Sequence, residues 1–123
     1  MNTLLLLAYL KNPPVIIVPV LRYSGMAIFP FVLLKSRDMV HDHTLMLHER
    51  IHLVQQLEML ILPFYILYGL HYLFNLILYR SHHRAYRAVI FEREAYSNEH
   101  RPDYLKHRRP WAFLRYAFTN NQV

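Results

Sequence analysis

Two histidines four positions apart, His48 and His52, with Glu49 directly after the first, are the residues of this chain best spaced to do chemistry. On a helix, positions i and i+4 share a face, one turn and about 6 Å apart. Imidazoles so placed can hold one metal ion through a nitrogen each, and the adjacent glutamate can reach a water on that ion and act as its general base. The flanking residues Leu45, Met46, Leu47, Ile51, Leu53, Val54 and Leu57 suit a helix. With 9 His in 123 residues, the pattern would arise from composition alone with a chance of about 0.03. Two exposed histidines on an amphipathic helix would look the same, so a third ligand decides the matter.

Helix geometry narrows where that ligand can be. Glu58 would lie about 9 Å along the axis from His52 and roughly 240° around it, so it cannot converge on the same point. The remaining carboxylates close in sequence to one another are Glu92, Glu94 and Glu99. A straight helix from His52 to Tyr79 would carry the chain about 40 Å away, too far for a helical return by residue 92. The apolar stretch must therefore bend back. Pro63 places one reversal near Leu62, because the residue before proline disfavours the α conformation, and Ser81-His82-His83 supplies the second. Residues 85–99 read as one helix, closed by Arg101-Pro102.

With these residues in view, the chain resembles the gluzincin zinc peptidases, and most of all their minimal members, across about residues 44–60 and 88–99. That resemblance implies a Zn²⁺ cofactor held by His48, His52 and a glutamate from a later helix. Two alignments are open. Glu92-Arg93-Glu94-Ala95 is similar to the Glu-x-x-Ala-Asp segment of membrane-bound CAAX-processing and heat-shock metalloproteases, making Glu92 the ligand and placing Tyr96 where those enzymes have Asp. Glu94-Ala95-Tyr96-Ser97-Asn98 is similar to the Glu-Ala-x-Ser-Asp segment of the thermolysin type, making Glu94 the ligand with Asn98 in the Asp position. Glu92 is slightly preferred. Asn98, Tyr96 and Gln56 are candidates to support the imidazoles, and His71, Tyr96 or Tyr104 to stabilise an oxyanion.

The elements that must position these groups read as follows. At 123 residues the chain is one domain, and it is predicted to be α+β and mostly helical. An apolar segment (1–12) precedes a β-hairpin (13–35), a helical core with the metal site (44–100), and a basic aromatic segment (101–123). The runs 15–23 and 26–35 read as the hairpin's two strands, turning at Ser24-Gly25, with Pro19 and Pro30 at edges or bulges. Zinc peptidases place an edge strand beside the metal to hold extended substrate. Asp38, Asp42 and Thr44 are available to cap the motif helix, and His41 and His43 read as solvent-facing.

Composition adds a setting. The chain is 54% hydrophobic, with ten Tyr, seven Phe and a net charge of +6. This combination favours a membrane surface or an acidic partner; no nucleic-acid motif appears. Cysteine is absent, so thiolate zinc sites are excluded. Residues 59–79 carry no formal charge and are long enough to span a bilayer, but Pro63, Gly69, His71 and Asn75 favour a packed or interfacial helix. The apolar run 3–10 has no basic residue before it and no small-residue cleavage site, so no signal peptide is predicted and the location is cytoplasmic or membrane-associated. The expected function is zinc-dependent hydrolysis of a peptide or protein substrate at or near a membrane. The alternative is a non-catalytic helical subunit of a larger membrane complex that keeps the motif.

Overall fold

The computed structural model describes residues 3–117. Their organising element is helix α2, His43–Glu58, on which the sheet and most other helices pack. Asp42 starts it: its side chain accepts the Leu45 N–H at 3.0 Å, satisfying one of the donors that a helix N-terminus leaves free. Burial extends around α2, taking in Leu47, Ile51 and Leu53 together with the polar His48, Glu49, His52, Gln55 and Gln56. His41, before it, and His43, its first residue, are exposed.

On one side of α2 lies a three-stranded sheet of β1 (Val15–Ile17), β2 (Gly25–Ile28) and β3 (Phe31–Leu34), in the order β1-β3-β2. Strand β1 runs parallel to β3, and β2 runs antiparallel to it. The expected hairpin turning at Ser24-Gly25 does not form. Proline is the reason: having no N–H to give a ladder, it ends each run. Pro19 stands in the turn after β1, and Pro30 stands in the turn after β2, behind a cis bond from Phe29. The hairpin is therefore β2–β3, and Gly25 opens a strand instead of closing a turn. Val32 and Leu34 pack from β3 onto Leu53 of α2, joined by Tyr9 and Leu10 of helix α1 (Thr3–Lys11).

Both expected reversals are present. Leu60 and Ile61 take positive φ (59° and 65°), and α3 (Leu62–Tyr79) starts with Pro63 in its first turn, where a missing N–H costs nothing. Phe64 thereby returns to His52, ring centroids 6.4 Å apart. At the far end Arg80 adopts the left-handed conformation, and Ser81 caps α4 (His82–Arg87). The continuous helix expected over 85–99 is broken. Val89 is extended (φ −61°, ψ 132°), and α5 (Ile90–Asn98) begins after it. Buried Val89 joins Phe64, Phe91 and Phe113 in a second core, while the freed Ile90 N–H donates to His71 Nδ1 at 3.3 Å.

The C-terminal segment forms α6 (Tyr104–His107) and a 3-10 turn at Ala112–Tyr116. Its aromatics divide: Phe113 fills the core against Phe91, whereas Trp111 and Leu114 are exposed. The cations divide too, with Arg108 buried in ion pairs and Lys106, Arg109 and Arg115 exposed. Helix α3 is apolar along 18 residues yet only 11% buried. Leu70, Phe74 and Ile77 stand 59%, 63% and 78% exposed, against buried Phe64 and Asn75 on its inner side.

Candidate metal centre

Helix α2 projects His48 and His52 from one face, and α5 brings Glu92 to meet them. Glu92 Oε1 lies 3.1 Å from the Nε2 of each histidine, and the two Nε2 atoms are 3.2 Å apart. A tetrahedral ion with ligand bonds of about 2.0–2.1 Å sets its ligands about 3.3 Å from one another. The donor atoms of these three buried residues have that spacing, so the group could hold a metal ion.

Glu94, the other glutamate allowed by the sequence, does not join them. Two residues along a helix is a 200° rotation, so Glu92 and Glu94 face opposite sides of α5. Glu94 is fully buried and takes hydrogen bonds from Tyr104, Gln55 and Arg108. Glu58, discarded above on geometry, pairs with the same Arg108 at 2.8 and 2.9 Å.

Each donor atom's orientation is set by a partner on the far side of its residue. His48 Nδ1 donates to Glu99 Oε2 at 2.7 Å, His52 Nδ1 to Gln55 Oε1 at 2.8 Å, and Tyr68 Oη donates to Glu92 Oε2 at 2.6 Å. Such outer contacts fix ring orientation and tautomer. The residues proposed for this work from sequence lie elsewhere. Asn98 Nδ2 donates to the Glu94 carbonyl and the Tyr116 hydroxyl, and Gln56 bonds the strand. His71 is engaged with Ile90. Tyr96 comes closest: its ring meets the His48 ring edge-on with centroids at 4.5 Å, and its hydroxyl pairs with Tyr86. Helix spacing carried a signal for two of the missed partners. Glu99 lies seven residues after Glu92, two turns on along the same face, and Gln55 lies three after His52.

Charge is balanced within the cluster. Burial alone would depress the His48 imidazole, but hydrogen bonds to Glu92 and Glu99 and the charge of Glu49 outweigh it and hold it at about 10. His52 is likewise lowered by burial and raised on balance by Glu92. Burial would raise Glu92, yet the two imidazoles keep it far below the usual carboxylate range. Glu49 goes the other way: burial pushes its carboxyl up, and the histidines only partly offset this.

The cluster lies in a cleft of about 440 Å³ whose walls include β2, α3 and α4, with Tyr23, Met26, Phe64, Tyr68, Tyr72 and Tyr86 among its lining. Gly25 lets β2 lie close to α2. A Cβ there would stand 3.2 Å from Leu34, 3.3 Å from Leu45 and 3.4 Å from Glu49 Oε2. As an edge strand β2 could receive an extended peptide, but part of its edge is taken. Gln56 accepts from Phe29 N and donates to Ala27 O, both at 2.8 Å.

No protein-family profile matches this chain, and no curated protein or solved structure is significantly similar to it.

Proposed function

We propose that this chain is a small membrane-associated zinc peptidase of the gluzincin type. The observation carrying the proposal is the meeting of His48, His52 and Glu92 at tetrahedral spacing beside Glu49, inside a cleft bordered by an edge strand. All three ligands are nitrogen or oxygen donors, a set that suits zinc and leaves its fourth position to water. Bound zinc would supply an acidified water and polarise the scissile carbonyl. Glu49 takes the water's proton and returns it to the leaving amine. In the cleft wall, Tyr86, whose hydroxyl pairs with that of Tyr96, carries an O–H that can turn to an oxyanion, in place of His71 and Tyr104. The aromatic and methionine lining suits apolar substrate side chains.

Elemental analysis tests the metal. Zinc near one equivalent is expected in the wild type and in Glu49→Gln, and its loss in His52→Ala. A metal-free wild type purified and dialysed with zinc present would end the proposal and favour the non-catalytic subunit.

The membrane part rests on α3. Its exposed apolar stripe has the composition of an interfacial surface, and Arg80, His83 and Arg84 stand exposed at its C-terminal end, where anionic lipid would be favourable. Each large apolar side chain buried contributes about 1.5–3 kcal/mol, so Phe74→Glu should weaken sedimentation with phosphatidylglycerol-containing vesicles by at least about tenfold. Wild-type protein that stays in the supernatant with these vesicles would refute this part alone.

A further inference from the structure

The second ring nitrogen of His52 meets an amide whose direction is not free. Gln55 is fully buried, and its Nε2 donates to the Phe91 carbonyl at 3.1 Å and to Glu94 Oε1 at 2.9 Å. Both partners are acceptors: one is a backbone oxygen, and the other is a carboxylate ion-paired with Arg108. Turning the amide over would set its oxygen against two oxygens and its nitrogen against the ring, a costly arrangement in a buried site. The amide oxygen must therefore face His52, and an amide oxygen can only accept. Nδ1 then keeps its proton, so when the ring gives up the other to bind a metal its lone pair is on Nε2, the atom 3.1 Å from Glu92 and 3.2 Å from His48 Nε2.

We propose that Gln55, its amide polarity set by the buried Glu94 carboxylate, is a positioning residue that fixes His52 in the tautomer whose Nε2 binds the metal. The glutamate that is not a ligand thus acts on the site through two hydrogen bonds in series, Glu94 to Gln55 to His52. Arg108 and Tyr104 hold Glu94, and Glu58 holds Arg108, so the C-terminal segment anchors the series. This inference rests on the metal-site reading above.

The test measures zinc affinity by competition with a chromophoric chelator, together with the ring ¹³C and ¹⁵N shifts of zinc-loaded His52, which report the bound nitrogen and the protonated one. Losing an outer partner of a ligand histidine costs about 10–100-fold in metal affinity, and that loss is expected in Gln55→Met with helical content unchanged. The exchanged pair Gln55→Glu with Glu94→Gln keeps an obligate acceptor facing His52 and a donor behind it. Although it sets a carboxylate oxygen against the Phe91 carbonyl, it should recover at least about threefold of the affinity that Gln55→Met loses. In the wild type, zinc should sit on Nε2 with a slowly exchanging proton on Nδ1. Zinc on Nδ1, or an Nδ1 without its proton, overturns the proposal even if neither variant folds. Wild-type affinity in Gln55→Met overturns the relay and leaves the metal site standing, whereas a wild type that takes up no zinc removes both.

Discussion

Glu49→Gln should abolish nearly all peptide hydrolysis while leaving the zinc in place. Glutamine keeps the size and one oxygen of the side chain but cannot take a proton from water at neutral pH. A positioned general base contributes about 10²–10⁴ in rate, or about 3–5 kcal/mol of barrier, so kcat/KM on an unstructured protein substrate such as casein should fall by that factor. Glu49 is suited to the task by its surroundings. Without a metal, burial raises its carboxyl and the nearby imidazoles only partly offset this. It lies in the cleft wall, next to but not among the three convergent donor atoms, which is why the metal should survive its neutralisation. Zinc content and hydrolysis must be measured on the same preparation. Activity within about threefold of wild type in zinc-loaded Glu49→Gln would exclude Glu49 as the base. Loss of zinc along with activity would instead make Glu49 part of the metal's support.

What the sequence disclosed about this site, and what it hid, follows from the range of the interactions. The i, i+4 pairing of His48 and His52 is local and needs only a helix, which the residues around it readily form. The two chain reversals were legible because steric rules constrain proline and because chain length limits where residue 92 can go. The choice between Glu92 and Glu94 was not settled by the sequence, since it depends on the rotation of α5 about its axis. That rotation is set by distant contacts: Arg108 claims one face, and Tyr68, from α3, holds the Glu92 carboxylate on the other. The strand pairing failed for a similar reason. Ser24-Gly25 is a good turn signal, but prolines at 19 and 30 had already cut both runs, and the parallel partnership of β1 with β3 is a long-range choice invisible to local pattern. The helix expected over 85–99 broke at Val89, where burial against Phe64, Phe91 and Phe113 overrode a weak preference.

Arg108→Met should be among the most destabilising single substitutions in the chain, although the residue lies in a short C-terminal segment between α6 and the last 3-10 turn. Its guanidinium donates from Nε and Nη2 to Glu94 and from both terminal nitrogens to Glu58, and Glu58 in turn accepts the Trp111 N–H at 2.7 Å. Burial would lower the Arg108 pKa, but the two carboxylates outweigh it and hold it above its ordinary value, so the charge is firmly retained. Methionine would fill much of the volume and leave Glu94 buried without its cation. Removing one partner of a buried pair costs about 3–5 kcal/mol, a large part of the 5–15 kcal/mol that holds a typical domain together. For a chain of this size that corresponds to a fall in Tm of roughly 10–20 °C. Urea unfolding of Arg108→Met beside Arg109→Met separates this effect from a general loss of charge, since the exposed neighbour should change stability by no more than about 0.5 kcal/mol. Adding Glu94→Gln to Arg108→Met removes the stranded charge, and the double variant should recover part of the loss. A cost below about 1 kcal/mol for Arg108→Met would mean that the pair is wet and weak. Glu94 would then have no fixed cation to hold it against Gln55, and the orientation of His52 would have to be secured by α2 and α5 alone.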